Sequence, residues 1–212
     1  MCSSDLKIKF IRPVKNKGAE LLGINAGATS TLIFNGSDEF DFPSNITELY
    51  DLTINRIGGV NLAGNLEVKN TLTLTSGNFF IDDNTLTINK AIEGTPANLT
   101  ADANSTLVVA GSGTGIQIPA LVDLKELTLN NTNGATLLGA IKIWDKLTLT
   151  AGVLTGSNNL TINPGKTIER SGGSLNAAPT FQSSVDVVYS GNEAIETGFE
   201  LPTTLITTNV EV

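Results

Sequence analysis

Asp82 and Asp83 form an adjacent acid pair in a chain that contains no histidine and one cysteine, Cys2. Enzymes acting on polysaccharides use convergent carboxylates, commonly with Arg, Lys or His beside them. Neighbouring residues of an extended strand point to opposite faces, so acids at i and i+1 do not converge by themselves. The pair therefore reads as a solvated turn. Asp38, Glu39 and Asp41 could offer oxygen ligands to Ca²⁺, but they lack EF-hand spacing and read as a charged loop. Gly111-Ser112-Gly113-Thr114-Gly115 is rich in glycine, yet no Lys-Ser/Thr follows to close a phosphate loop, and it reads as a corner. Without histidine the commonest general base and metal ligand is missing. These residues predict no enzyme, no cofactor and no metal site. Trp144, the only tryptophan, is the candidate surface contact.

Composition sets the frame for these residues. Hydrophobic residues make up 40% of the 212 positions and aromatics only 5%, so any core is aliphatic. Thirteen basic residues stand against 21 acidic ones, a net charge of −8. That sign speaks against nucleic acid and against anionic membrane surfaces as partners. No apolar run approaches the roughly 18 residues of a transmembrane helix, so no membrane insertion is expected. No apolar periodicity of 3.6 is sustained, and Thr, Val and Ile suit a pleated surface.

The elements that must carry these residues repeat. Ser30-Thr31-Leu32-Ile33-Phe34-Asn35-Gly36 matches Ser105-Thr106-Leu107-Val108-Val109-Ala110-Gly111, an offset of 105 − 30 = 75. Leu52-Thr53-Ile54-Asn55 matches Leu127-Thr128-Leu129-Asn130, and Leu72-Thr73-Leu74-Thr75 matches Leu147-Thr148-Leu149-Thr150, at the same offset. Leu86-Thr87-Ile88-Asn89 matches Leu160-Thr161-Ile162-Asn163 at 74. Phe42-Pro43, Ile118-Pro119 and Leu201-Pro202 close a second recurring motif. Strict alternation places the Leu and Ile residues on one face and Thr on the other.

The pattern predicts an all-β fold, a right-handed parallel β-helix (β-solenoid) in units of about 75 residues with about four coils each. The strand starts Leu32, Leu52, Leu72, Leu86 and Leu107 are read as successive coils, the step from Leu72 to Leu86 being a short one. Units lie near residues 30–104, 105–182 and, in part, 183–212. Lys7-Ile8-Lys9-Phe10 and Val210-Glu211-Val212 read as strands of neighbouring coils. Each inward aliphatic should contribute roughly 1.5–3 kcal/mol. An antiparallel sandwich would also suit short strands with Gly turns; the direction of pairing decides between the two.

Met1-Cys2-Ser3-Ser4-Asp5-Leu6 resembles a translated sequencing adapter, so residues 1–6 are set apart as an artefact, and 7–212 is read as one solenoid fragment, truncated at both ends. From Ser30 onward the order of motifs resembles the repetitive regions of large secreted surface proteins of the Bacteroidetes type, commonly exported by a type 9 system. The resemblance implies an extracellular or cell-surface location and a non-enzymatic structural or adhesive role, with surface glycans or other extracellular proteins as partners. The alternative is a carbohydrate-binding or polysaccharide-active β-helix whose catalytic coil lies outside this fragment. Three or more acids within about 8 Å on one face would favour it. The Thr-x-Thr runs at Thr71–Thr75 and Thr85–Thr87 resemble ice-binding solenoids, but Lys146 and Asn159 interrupt them in the second unit.

Overall fold

The computed structural model describes residues 7–10, 29–191, 194–203 and 209–212, so residues 1–6 lie outside it. It is all-β, a parallel β-solenoid of about nine coils. Every strand pairing among the described residues is parallel, which excludes the sandwich. Among the described residues helix is confined to two single 3₁₀ turns at Pro96–Asn98 and Ser157–Asn159.

One long sheet runs from end to end. It stacks Lys7–Phe10, Thr31–Gly36, Glu48–Arg56 and Leu66–Ser76, then Thr85–Ile88, Thr106–Val109, Asp123–Asn130, Ile141–Ala151, Lys166–Arg170, Val185–Tyr189 and Asn209–Glu211. Two shorter sheets cover the remaining side. One holds Phe40–Phe42, Val60–Leu62, Phe79–Phe80 and Leu99–Thr100; the other holds Gln117–Ile118, Ala135–Leu137, Val153–Thr155 and Ser174–Leu175. Each coil thus offers three strand segments, two of them often joined through a bulge into one bent strand.

Alternation decides what is inside. Leu32, Leu52, Leu72, Leu86, Leu107, Leu127, Leu147 and Leu160 are all buried. Thr53, Thr73, Thr87, Thr128, Thr148 and Thr161 face outward and are half-buried. A coil cannot shelter its own apolar face, but a stack of coils does so continuously. On the outside, polar side chains pair from coil to coil. Asn55 Nδ2 donates to Asn35 Oδ1 at 3.0 Å, and Ser76 Oγ donates to Asn55 Oδ1 at 2.8 Å.

The register corrects one reading of the repeat. Leu72 does not stack on Leu86; it stacks on Ile92, and Leu86 stacks on Leu66. From Leu66 a single inward column runs through Leu86, Leu107, Leu127, Leu147, Ile168 and Val187, and Val210, exposed on the last described strand, continues its register. Its members are 19 to 23 residues apart, so there is no 14-residue coil. A second column, Leu32, Leu52, Leu72 and Ile92, ends in the first unit. The Leu-Thr-Leu motif therefore occupies one strand segment of the coil in the first unit and the preceding segment in the second. Seventy-five residues fill three coils and two of the three segments of a fourth, and the sequence slips by one segment. The second unit does not slip. The stretch between Ile162 and Asp186 is six residues longer than that between Ile88 and Thr106, which adds one more segment, Thr180–Phe181. From Leu107 to Val187 the chain makes four whole coils.

Glycines sit where corners crowd. Gly77 (φ +70°) and its repeat-mate Gly152 (φ +80°) lie against the backbone carbonyls of Arg56 and Asn131, where a Cβ would come within 1.7 and 2.0 Å. Those partners are also repeat-mates, and both plug a corner. Arg56 Nε donates to the carbonyl of Asp38, and Asn131 Nδ2 to the carbonyl of Gly113, the equivalent position.

Candidate functional site

Trp144 stands on a two-residue bulge. Leu124 pairs with Ile143 and Glu126 with Lys146, so Trp144 and Asp145 oppose Lys125 alone. The same bulge recurs at Lys69 and Asn70 opposite Tyr50. A bulge turns side chains outward, and Trp144 is 40% exposed on the outer surface. Its Nε1 donates to Asp123 Oδ1 at 2.6 Å, and Lys142 Nζ lies 4.4 Å from the ring centroid. The indole is thereby fixed in orientation, one face engaged by a cation.

Asp82 is less isolated than its sequence neighbours suggest. It adopts a left-handed backbone (φ 51°), rare outside glycine but tolerated by Asp and Asn. It borders a cavity of about 170 Å³ with Phe80, Thr100, Ala101 and Asp102. Burial pushes its carboxyl above the usual range, and the charges of Asp102, Asp83, Asp41 and Glu39 push the same way. Apart from Asp83, stacking supplies these neighbours from other coils, which no local spacing reveals. Some of the acids are already engaged. Asn61 Nδ2 donates to Glu39 Oε1 at 2.7 Å and to Asp41 Oδ1 at 3.1 Å. Asp102 Oδ1 accepts from the backbone N–H of Asn104 at 2.8 Å and of Ser105 at 3.1 Å. Among the described residues no three His, Cys, Asp or Glu side chains are grouped to hold a metal.

A third cluster was not singled out by the sequence. Glu200 is fully buried, and its Oε1 accepts from Arg170 Nη1 at 2.6 Å, Gly198 N–H at 2.8 Å and Tyr189 O–H at 2.9 Å. Arg170 also reaches the carbonyls of Gly173 and Glu196. Burial opposes ionisation of Glu200, but its backbone hydrogen bonds and the Arg170 guanidinium outweigh it and hold the carboxyl below its ordinary value. Burial, then the Glu200 carboxylate, push the Tyr189 phenol up. These residues clasp the segment 194–203 to the solenoid; their geometry is that of a buried ion pair rather than a reactive site.

The Thr runs do not make a regular face. Thr71 lies beside Ala91 and Thr73 beside Glu93, while Thr87 lies between Glu67 and Val108. Compared with known proteins, the chain matches no family model, no curated protein and no solved structure.

Proposed function

We propose that this chain is a structural and adhesive rod, a non-enzymatic module of a secreted or cell-surface protein. The unbroken parallel ladder carries the reading. About nine coils, stacked at about 4.8 Å, extend some 43 Å around one aliphatic core. Such a body presents its outer side chains at fixed spacing. The resemblance of the motif order to repetitive surface regions of the Bacteroidetes type, with their type 9 export, supports the extracellular setting. Trp144 is the contact proposed for a glycan or a protein partner, since an exposed, oriented indole suits stacking on a sugar ring.

The test is a surface coated with the purified chain and washed with glycan-bearing particles under flow. Retention that falls when Trp144 is replaced by Ala, with the circular dichroism unchanged, supports the reading. Release of new reducing ends from a polysaccharide by the chain would overturn it. That second outcome belongs to a polysaccharide-active β-helix, and one observation favours such a reading: the raised carboxyl of Asp82 among acids from several coils. Loss of the released ends in Asp82→Asn would then identify the acid.

A further inference from the structure

The slip between the first two units shapes the surface as well as the core. In the coils that begin at Leu66 and Thr85, two residues turn the corner to the next segment: Lys69 and Asn70, then Asn89 and Lys90. In the next coil the same corner falls between Thr106–Val109 and Gln117–Ile118 and takes seven residues, 110–116. The extra chain stands out over the coils beneath as the glycine-rich loop 111–115. Its underside forms an open cleft of about 530 Å³, lined by Glu67, Lys69, Asn89, Lys90, Ser112 and Thr114 with Gly111 and Gly113.

The overhang is held on both sides. Gly113 N–H donates to the carbonyl of Asn89 at 3.2 Å, and Gly113 sits so close to Lys90 that a Cβ would meet its Cα at 2.4 Å. From the next coil Asn131 Nδ2 donates to the Gly113 carbonyl at 2.9 Å, and Asn133 Nδ2 to the Ser112 carbonyl at 2.8 Å. The volume lies in the range of ligand sites, and the anchored loop makes the cleft pre-formed.

The charges inside differ in kind. Lys69 is committed: its ammonium lies 2.7 Å from Glu67 and 3.6 Å from Glu48. Glu67 also accepts from Asn89 Nδ2 at 2.6 Å. Lys90 donates to Asn70 Oδ1 at 2.8 Å, and among the described residues no carboxylate pairs with it. The cleft thus offers one ammonium that no carboxylate pairs with among the described residues, beside the Glu67 carboxylate held by Lys69 and with amide and hydroxyl groups around it, a local cation against the net charge of −8 over the whole chain.

We propose that this cleft binds an acidic polysaccharide, its carboxylate or sulfate on Lys90 and its hydroxyls on Asn89, Ser112 and Thr114. A polyhydroxylated ligand carrying an oxyanion matches that set of donors and acceptors. The assignment rests on the adhesive reading above and names one site for it.

The test uses polygalacturonate and, as the uncharged version of the same chain, its fully methyl-esterified form. Binding is measured by calorimetry on wild type, Lys90→Ala, Thr114→Glu and Lys125→Ala. Thr114→Glu places a like charge at an exposed position of the loop, and Lys125 is an exposed lysine outside the cleft. Wild type should bind polygalacturonate more tightly than the ester, and more weakly as salt is raised. Lys90→Ala and Thr114→Glu should each weaken binding about tenfold, while Lys125→Ala leaves it unchanged. No binding of polygalacturonate, equal binding of the ester, or equal losses in Lys90→Ala and Lys125→Ala would each overturn the site. Glycan-particle retention that still depends on Trp144 would then leave the adhesive reading standing.

Discussion

Leu127 lies in the middle of the longest inward column, between Leu107 and Leu147, and is 1% exposed. Truncation to Ala removes three buried carbons, about 2.4 kcal/mol at about 0.8 kcal/mol each. A cavity cost adds to this, because the ladder holds Leu107 and Leu147 on strands about 4.8 Å away and they cannot close the gap. Leu127→Ala should therefore cost about 3–5 kcal/mol, the upper part of the range for Leu to Ala. Thr128→Ala, one residue on and facing outward, should cost under about 1 kcal/mol. Guanidinium unfolding followed by far-UV circular dichroism reads both, and Trp144 fluorescence gives a local probe one coil away. Stacked coils can unfold in parts, so agreement of the two probes shows whether the loss is shared along the rod. A cost for Thr128→Ala equal to that for Leu127→Ala, or a cost below about 1 kcal/mol for Leu127→Ala, would refute the inward column.

Three further outcomes follow from particular residues. Gly77→Ala should lower the unfolding midpoint far more than Gly165→Ala, since both glycines have positive φ but only at Gly77 would a Cβ strike backbone; similar losses would show that φ alone decides. The Glu200 carboxyl is held below its unfolded value, so its clasp stabilises the fold above the ordinary carboxylate range and loses that contribution as pH falls through the depressed value. Protection of the amides in residues 194–203, taken as exchange relative to the intrinsic rate at each pH, should fall with acid in wild type and be low already at neutral pH in Glu200→Gln; protection independent of pH in wild type would contradict the clasp. Asp82 has the opposite sign: its raised carboxyl disfavours the folded state as pH climbs through that value. Asp82→Asn, which keeps a side chain tolerant of left-handed backbone, should raise the thermal midpoint at neutral pH, and a lowered midpoint would argue that the carboxylate makes a stabilising contact.

How much of this was legible beforehand depends on the range of the interaction. Period-two alternation tells which side chains of Leu52-Thr53-Ile54 face inward, and repetition in one direction tells that pairing is parallel, so the core and the ladder could be read directly. Trp144 could be placed outside because its repeat-mate is Lys69, and the structure shows it there. Alternation is silent about which coil lies beside which. Leu72 and Leu86 carry the same motif, and likeness suggested adjacency, but the backbone needs about 20 residues to go round the coil and the motif simply moves to another segment. The glycine-rich corner at residues 111–115 was visible as a corner, whereas its overhang appears only once the slip is known. Asp82 looked like half of an isolated pair because its neighbours Asp41 and Asp102 arrive from other coils. Glu200 and Arg170 are 30 residues apart, and no local signal marks Glu200 as buried or Arg170 as its partner.

The slip is most directly tested with paired cysteines in a Cys2→Ser background, which leaves no other thiol. Glu67 and Thr87 are adjacent outward residues on neighbouring strands, so their Cα atoms stand at the strand spacing of about 4.8 Å, inside the range a disulfide bridges. Thr73 is paired with Glu93 instead, six residues along the chain from Glu67 and round the corner at Lys69 and Asn70, on another segment of the coil and out of a disulfide's reach of Thr87. Mild oxidation of Glu67→Cys with Thr87→Cys should give an internal disulfide in nearly all molecules, and Thr73→Cys with Thr87→Cys should give none. A disulfide in the second pair and not in the first would contradict the register on which the core column, the slip and the cleft all depend.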